Sequence, residues 1–161
     1  MIARVKYTFA TTFLAICILV SATAHAADPE SAAMNMVDAW NDVDLDRVIE
    51  LFTEDGTLHS MMMHPIVGRE DLRRHLKPLF AGIDELNLQL KHVVVDGDTV
   101  LIERIDEFVF NGKRGSVPVF GVLLIRDGRV AEWREYYDRA QLYSEMGIPV
   151  PSKNAAAAST H

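Results

Sequence analysis

The sequence contains almost no cysteine: one residue, Cys17, among 161. A single thiol forms no internal disulfide and supplies no cluster of thiolates to a structural metal. Cys17 also lies inside an apolar stretch near the N-terminus, which we expect to be removed from the mature protein. The mature chain is therefore predicted to have no disulfide, no thiol nucleophile and no thiolate metal site, and its cysteine content does not indicate its compartment.

Positive charge is also scarce. The chain has 16 lysines and arginines against 23 aspartates and glutamates, which gives a formal net charge of −7. Loss of the first 26 residues would remove Arg4 and Lys6 and leave a charge of −9. An acidic chain without a basic patch argues against nucleic acids and anionic membranes as partners.

Residues 1–26 are typical of an export signal. Arg4 and Lys6 form a short positive region, Phe9 to Val20 an apolar stretch, and Ala24-His25-Ala26 a small-x-small cleavage site. The apolar stretch is short for a membrane span, which needs roughly 20 apolar residues. We expect cleavage before Ala27 and export to the periplasm or the medium, with no membrane association afterwards; an uncleaved anchor is the alternative.

The mature chain predicts one α+β domain over residues 27–148, followed by a flexible tail at 149–161. Apolar residues at helical spacing predict three N-terminal helices, and alternating residues with hairpin turns predict a four-stranded antiparallel meander. The predicted helices are 30–40, 44–52 and 68–80, with a short strand or loop at 57–65 and only strands after residue 80. Helices packed on a strongly curved, mainly antiparallel sheet form a cone with a deep apolar pocket.

Two charges lie on the apolar face of the second meander strand, Val100 to Phe110. Side chains alternate along a strand, so Arg104 and Asp106 share a side with Phe108. Charges buried in this way are unfavourable unless they are paired and hydrogen-bonded. We therefore predict a functional pair; a structural ion pair that fixes strand register is the alternative.

The last strand, Arg129 to Asp138, adds a second carboxylate. Its alternation places Trp133, Glu135 and Tyr137 on one face. Two carboxylates and an arginine facing one pocket suit acid–base chemistry, because one acid can stay protonated while the other stays ionised. The alternative is that the charges of this strand form a solvated face.

With these residues the sequence resembles the limonene-1,2-epoxide hydrolase family of SnoaL-like, nuclear-transport-factor-2-like cone folds, from about Ala32 to Tyr143. The motifs that carry the resemblance are, in chain order, Glu54-Asp55, Val67-Gly68-Arg69, Glu103-Arg104-x-Asp106, Phe120-Gly121-Val122, Asp127-Gly128-Arg129-Val130 and Trp133-Arg134-Glu135-Tyr136-Tyr137-Asp138. The resemblance implies a cofactor-independent reaction in which Asp106 protonates the epoxide oxygen, Arg104 bridges the two acids and Glu135 deprotonates the attacking water.

The chain departs from the family pattern at the water site. The family's water-positioning tyrosine falls on Leu58 and its asparagine on Ser60, while Glu135 replaces an aspartate. Leucine cannot hydrogen-bond, and serine makes a shorter, less directional contact than an amide. We expect a hydrolase that opens a small apolar epoxide to a vicinal diol; the alternatives are an isomerase, lyase or epoxide-opening cyclase of the same fold, and a non-catalytic protein that binds small apolar ligands.

The remaining expectations concern the pocket and the outer surface. Besides the three charged residues, the residues expected to line the pocket are Leu58, Ser60, Met62, His92, Phe108, Trp133 and Tyr137. The methionines in the run His59 to His64 are expected to line the pocket, so no metal is expected; a copper site formed by the histidines and methionines of this run is the alternative. The outer sheet face, with Leu101, Ile105 and Val109, predicts a homodimer.

Overall fold

The computed structural model describes residues 28–149. The predicted export signal lies outside these residues, as does the predicted tail beyond Pro149. In the described part of the chain, the elements are α1 (Pro29–Asn41), α2 (Leu45–Leu51), β1 (Phe52–Ser60), β2 (Ile66–Val67), α3 (Arg69–Phe80), β3 (Ile83–Asp96), β4 (Thr99–Phe110), β5 (Lys113–Arg126), β6 (Arg129–Tyr136) and α4 (Arg139–Met146).

Side-chain caps fix where the first two helices begin. The Asp28 carboxylate accepts a hydrogen bond from the backbone N–H of Ser31, and Pro29 occupies the first turn of α1. At α2 the predicted cap, Asp44, accepts from the backbone N–H of Arg47 at 3.0 Å. Such caps satisfy backbone donors that a helix start leaves free.

The sheet has six strands in the order β2-β1-β6-β5-β4-β3. Strands β3 to β6 form the predicted antiparallel meander, and β1 joins it by pairing parallel to β6. Helices α1 to α3 contact the concave face, where Phe52, Met36 and Trp133 are almost completely buried. The predicted α+β cone is therefore confirmed.

Two details of the predicted elements were wrong. Phe52 begins β1 instead of ending the second helix, so the strand runs for nine residues. A fourth helix, α4, follows the meander; it is capped by Asp138 and stopped by Gly147, whose φ is 73°. Since Met146 is the only buried residue of α4, that helix has almost no apolar stripe for a sequence pattern to reveal.

Residues 28–149 contain no helix with both the length and the apolar character needed to cross a bilayer.

Candidate active site

A buried arginine forms the centre of the site. Arg104 lies in β4 on the concave face, and its side chain is only 2% exposed. The guanidinium carbon is 5.3 Å from the centroid of the Trp133 ring, a cation–π distance. A planar guanidinium presents several donors in fixed directions, so one arginine can bind two carboxylates at once.

Arg104 does bind two carboxylates. Its Nε donates to Asp106 Oδ1 at 2.7 Å and its Nη2 to Asp106 Oδ2 at 3.2 Å, which makes a bidentate contact. The same Nη2 also donates to Glu135 Oε1, a residue 31 positions further along the chain. The structure thus brings the three predicted charged residues together, with both carboxylates mostly buried.

Burial sets the protonation of this cluster. Desolvation raises the pKa of Asp106 to about 6, and the nearby charge of Glu135 adds to this, although Arg104 acts in the opposite direction. For Arg104, burial opposes the charged form, but the charges of Glu135 and Asp106 outweigh it and raise its pKa. Asp106 therefore titrates close to neutral pH while the arginine stays cationic.

Strand β1 brings the predicted water site beside Glu135. In the parallel pairing of β1 with β6, Ser60 lies opposite Glu135 and Leu58 opposite Trp133. The backbone N–H of Met61 donates to the Glu135 carbonyl oxygen at 2.9 Å, which continues this pairing by one residue. Leu58 is only 5% exposed, so an apolar side chain occupies its place in the site.

The cluster lies in a cavity of about 920 Å³. Arg104, Asp106, Glu135, Ser60 and Tyr137 give it a polar region. Its apolar walls include Leu58, Leu79, Leu86, Leu88, Phe108, Phe110, Trp133, Leu142 and Met146. Ligand pockets of about 300–1,000 Å³ with a few convergent polar groups are typical of small-molecule sites.

Two residues predicted to line the pocket do not. A bulge in β3 shifts the pairing between Leu90 and His92, so His92 pairs with Glu103 on the outer face and its side chain is 77% exposed. Met62 lies in a turn with a positive φ of 70° and is 97% exposed. Its neighbour Met63 lines the cavity in its place.

Gly121 is a site residue that the sequence reasoning missed. It lies in β5 opposite both Ile102 of β4 and Glu135 of β6. A Cβ atom at this position would lie 2.8 Å from Arg104 Nη1 and 3.1 Å from Trp133 Nε1. The missing side chain therefore lets the guanidinium approach the sheet, and a glycine inside a strand pattern is the signal that indicates such an approach.

The run from His59 to His64, for which copper was the alternative, ends β1 and forms the turn after it. His59 Nε2 is 3.0 Å from the Met63 carbonyl oxygen, which closes the turn after β1. Across residues 28–149, no three or more histidine, cysteine or acidic side chains lie close enough together to hold a metal ion.

The sequence matches a known family of protein domains. The family model of the SnoaL-like domain, which describes the sequences of that family, matches residues 33–133, and these are more than half of the chain. This chain belongs to the SnoaL-like domain family. The family resemblance found in the sequence is thereby confirmed, and with it the cone fold.

Individual relatives include epoxide hydrolases. The epoxide hydrolase EphG of Mycobacterium tuberculosis (strain ATCC 25618 / H37Rv) is 27% identical over 113 residues, which are 64% of this chain and 76% of EphG. The structure of an M. tuberculosis LEH-like epoxide hydrolase has a TM-score of 0.65 and 23% identity, and the match covers 73% of this chain and 88% of that one.

A solved structure of a protein described for ring formation has the same fold. The epoxide hydrolase/cyclase-like enzyme SalBIII, described for pyran ring formation in the polyether salinomycin, has a TM-score of 0.63 and 18% identity. The match covers 70% of this chain and 92% of SalBIII. Epoxide hydrolases and a cyclase-like enzyme thus have one architecture, and a shared fold does not decide between reactions.

Proposed function

We propose that the protein is a cofactor-independent hydrolase that opens an apolar epoxide with water to a vicinal diol. The observation that carries this proposal is the single buried guanidinium of Arg104, which binds Asp106 and Glu135 at the polar region of an apolar cavity. The similarity to EphG supports it. A cavity of about 920 Å³ admits substrates up to the size of a drug-like molecule.

The two acids have opposite roles in the proposed reaction. Glu135 takes a proton from water while the water oxygen forms a bond to one epoxide carbon. The bond between that carbon and the epoxide oxygen breaks, and Asp106 gives its proton to this oxygen. A vicinal diol results, and passage of the proton from Glu135 back to Asp106 restores the starting state.

The electrostatics of the cavity suit these roles. An acid whose pKa is about 6 keeps a usable protonated fraction near neutral pH and is still able to release its proton. Arg104 stabilises the Asp106 carboxylate that forms when the proton leaves, and it does so without reorganising because its contacts already exist.

Heavy-oxygen labelling tests this proposal. The mature protein would be given a panel of cyclic and aliphatic epoxides in water enriched in ¹⁸O, and product masses would be read. We expect a diol with one labelled oxygen, which is lost in Asp106→Asn and in Glu135→Gln. The matched controls are Asp96→Asn, on the exposed end of β3, and Glu132→Gln, three residues before Glu135 and therefore on the other face of β6. Diol formation by Asp106→Asn at the wild-type rate would refute the assignment.

An epoxide-opening cyclase or isomerase is the second candidate. It is favoured by Leu58, a buried apolar side chain at the position opposite Trp133, where it gives a water molecule no hydrogen bond. The fold shared with SalBIII agrees with this alternative. Conversion of the substrate to a product without ¹⁸O would establish it in place of hydrolysis.

We also propose that the chain is exported and dimeric. The export signal predicts a mature N-terminus at Ala27, which mass spectrometry of the processed protein would verify or exclude.

For the dimer, the outer sheet face carries Phe120 and Tyr136 with ring centroids 6.4 Å apart, both substantially exposed. Sedimentation would show a dimer that Phe120→Glu dissociates; a wild-type monomer would contradict it.

A further inference from the structure

We infer that Arg69 is a positioning residue for the reaction: it fixes the register of β1 against β6 and, through β1, the place of the base Glu135. This inference rests on the hydrolase function proposed above. Arg69 itself does not line the cavity. The inference therefore gives a role to an arginine that the proposed reaction does not use.

Strand β1 has three more residues than β6 along one short stretch. Phe52 pairs with Val130 and Thr57 with Glu132, so five steps along β1 correspond to two along β6. The pairing is regular from there to the end of β1. Residues 53–56 thus form a bulge, called the β1 bulge below, and its length sets the register of every later residue of the strand.

This register decides what lies beside the base. Ser60 lies opposite Glu135 and Leu58 opposite Trp133, while the backbone N–H of Met61 donates to the Glu135 carbonyl oxygen at 2.9 Å. A slip of one residue would shift these contacts by about 3.3 Å and turn the cavity side chains of β1 to the outer face. The placement of Glu135 therefore depends on a bulge of constant length.

Arg69 holds the start of the β1 bulge from the first turn of α3. Its Nε and Nη2 donate to the Phe52 carbonyl oxygen at 2.9 and 2.5 Å, and Nη2 also donates to the Glu50 carbonyl oxygen at 2.8 Å. Its Nη1 donates to the Glu54 carboxylate, inside the bulge. One rigid guanidinium thus joins the end of α2 to the bulge, as its fixed fork of donors allows.

The other end of the β1 bulge is held by the residue before the arginine. The backbone N–H of Gly68 donates to the Gly56 carbonyl oxygen at 2.8 Å. A Cβ atom at Gly56 would lie 2.9 Å from both Phe52 Cβ and the Thr53 carbonyl oxygen, so this close fold of the backbone requires glycine. Two consecutive residues, Gly68 and Arg69, therefore hold both ends of the bulge.

Two variants disturb the β1 bulge in different ways. Arg69→Ala removes the guanidinium, and Gly56→Ala adds a methyl group that the bulge has no room for. We expect each to lower kcat about ten- to hundredfold with KM little changed, since the cavity keeps its walls while the base is misplaced. Circular dichroism would show that both variants are folded.

The matched control is Arg73→Ala, which removes a more exposed arginine of the same helix that pairs with Asp46. This variant should have the kcat of the wild type. Wild-type kcat in both Arg69→Ala and Gly56→Ala would overturn the inference while leaving the hydrolase function intact.

A disulfide between β1 and β6 reports the register without turnover. The chain from Ala27 onwards contains no cysteine, and Thr57 and Glu132 are paired on the face away from the cavity. The double variant Thr57→Cys, Glu132→Cys should therefore oxidise readily, because paired residues lie within bridging distance. We expect oxidation to slow severalfold when Arg69→Ala or Gly56→Ala is added. Equal rates in all three proteins would overturn the inference.

The same disulfide should restore the reaction. In the Arg69→Ala background it fixes the register that the arginine no longer holds, so kcat should rise about tenfold or more on oxidation and fall again on reduction. A kcat that does not respond to oxidation would contradict a role through register. Should the oxidation rates change as expected while the wild type turns over no epoxide, the hydrolase function fails and the role of Arg69 in strand register stands.

Discussion

Strand β4 contributes to a close polar contact on each of its faces, and the surroundings of the two contacts differ. On the concave face Arg104 Nε is 2.7 Å from Asp106 Oδ1, and the two side chains are 2% and 16% exposed. On the outer face His92 Nδ1 is 2.7 Å from Glu103 Oε2, and those side chains are 77% and 56% exposed. The distances are equal, but the first pair is buried in the cavity and shares its arginine with Glu135, while the second is an exposed surface contact.

Replacement of Arg104 in one pair and of His92 in the other should separate the two faces most clearly. Arg104→Met leaves Asp106 and Glu135 buried without their partner, so we expect the free energy of unfolding to fall by about 3–5 kcal/mol and turnover to be lost. His92→Ala should change it by less than about 1 kcal/mol. Urea unfolding of both variants measures the contrast, and equal losses of stability would show that burial does not distinguish the pairs.

The buried carboxyl should also make stability depend on pH. The pKa of Asp106 is about 6 in the folded protein, whereas an aspartate in an unfolded chain has an ordinary pKa of 3.8. The folded chain therefore holds this proton more tightly than the unfolded chain does. Asp106 thus contributes stability that is complete below pH 3.8 and is lost as the pH rises through about 6. The total is about 3 kcal/mol for a difference of this size.

Asp106→Asn isolates this contribution. The asparagine variant cannot titrate at this position, so the wild type should lose about 3 kcal/mol of stability relative to it between about pH 3 and about pH 7.5. Urea unfolding of the two proteins across this range gives the difference directly. Parallel stability curves would mean that the carboxyl is not desolvated.

A smaller effect is expected where the sheet backbone approaches the arginine. Gly121→Ala adds a methyl group 2.8 Å from Arg104 Nη1, which must displace the guanidinium or the strand. We expect a loss of about 1–3 kcal/mol, typical of overpacking, together with slower turnover. Ser116→Ala, at an exposed position of the same strand, is the matched control. Wild-type turnover by Gly121→Ala would show that the guanidinium can move without consequence.

The sequence could predict the parts of the site that depend on regular alternation. Arg104, Asp106 and Glu135 lie on uninterrupted stretches of β4 and β6, so a period of two residues was enough to place them on one face. The Ser60 position followed from the family resemblance. Its pairing with Glu135 required the parallel contact between β1 and β6, which joins distant parts of the chain.

Alternation fails where the backbone is irregular. The bulge next to His92 moves every later β3 residue to the opposite face, and bulges leave little trace in composition. Met62 is turned outward by a left-handed backbone conformation that methionine rarely adopts. The α4 helix adds Leu142 and Met146 to the cavity, although its sequence has no clear apolar stripe.

The most direct test of the contrast between the two faces is a titration of Asp106 itself. In protein with ¹³C-labelled aspartate carboxyl groups, the Asp106 signal would be assigned by its loss in Asp106→Asn and followed with pH. We expect a midpoint of about 6. A midpoint at or below 3.8, the ordinary aspartate value, would contradict it, because Asp106 could not then hold the proton that opening an epoxide requires.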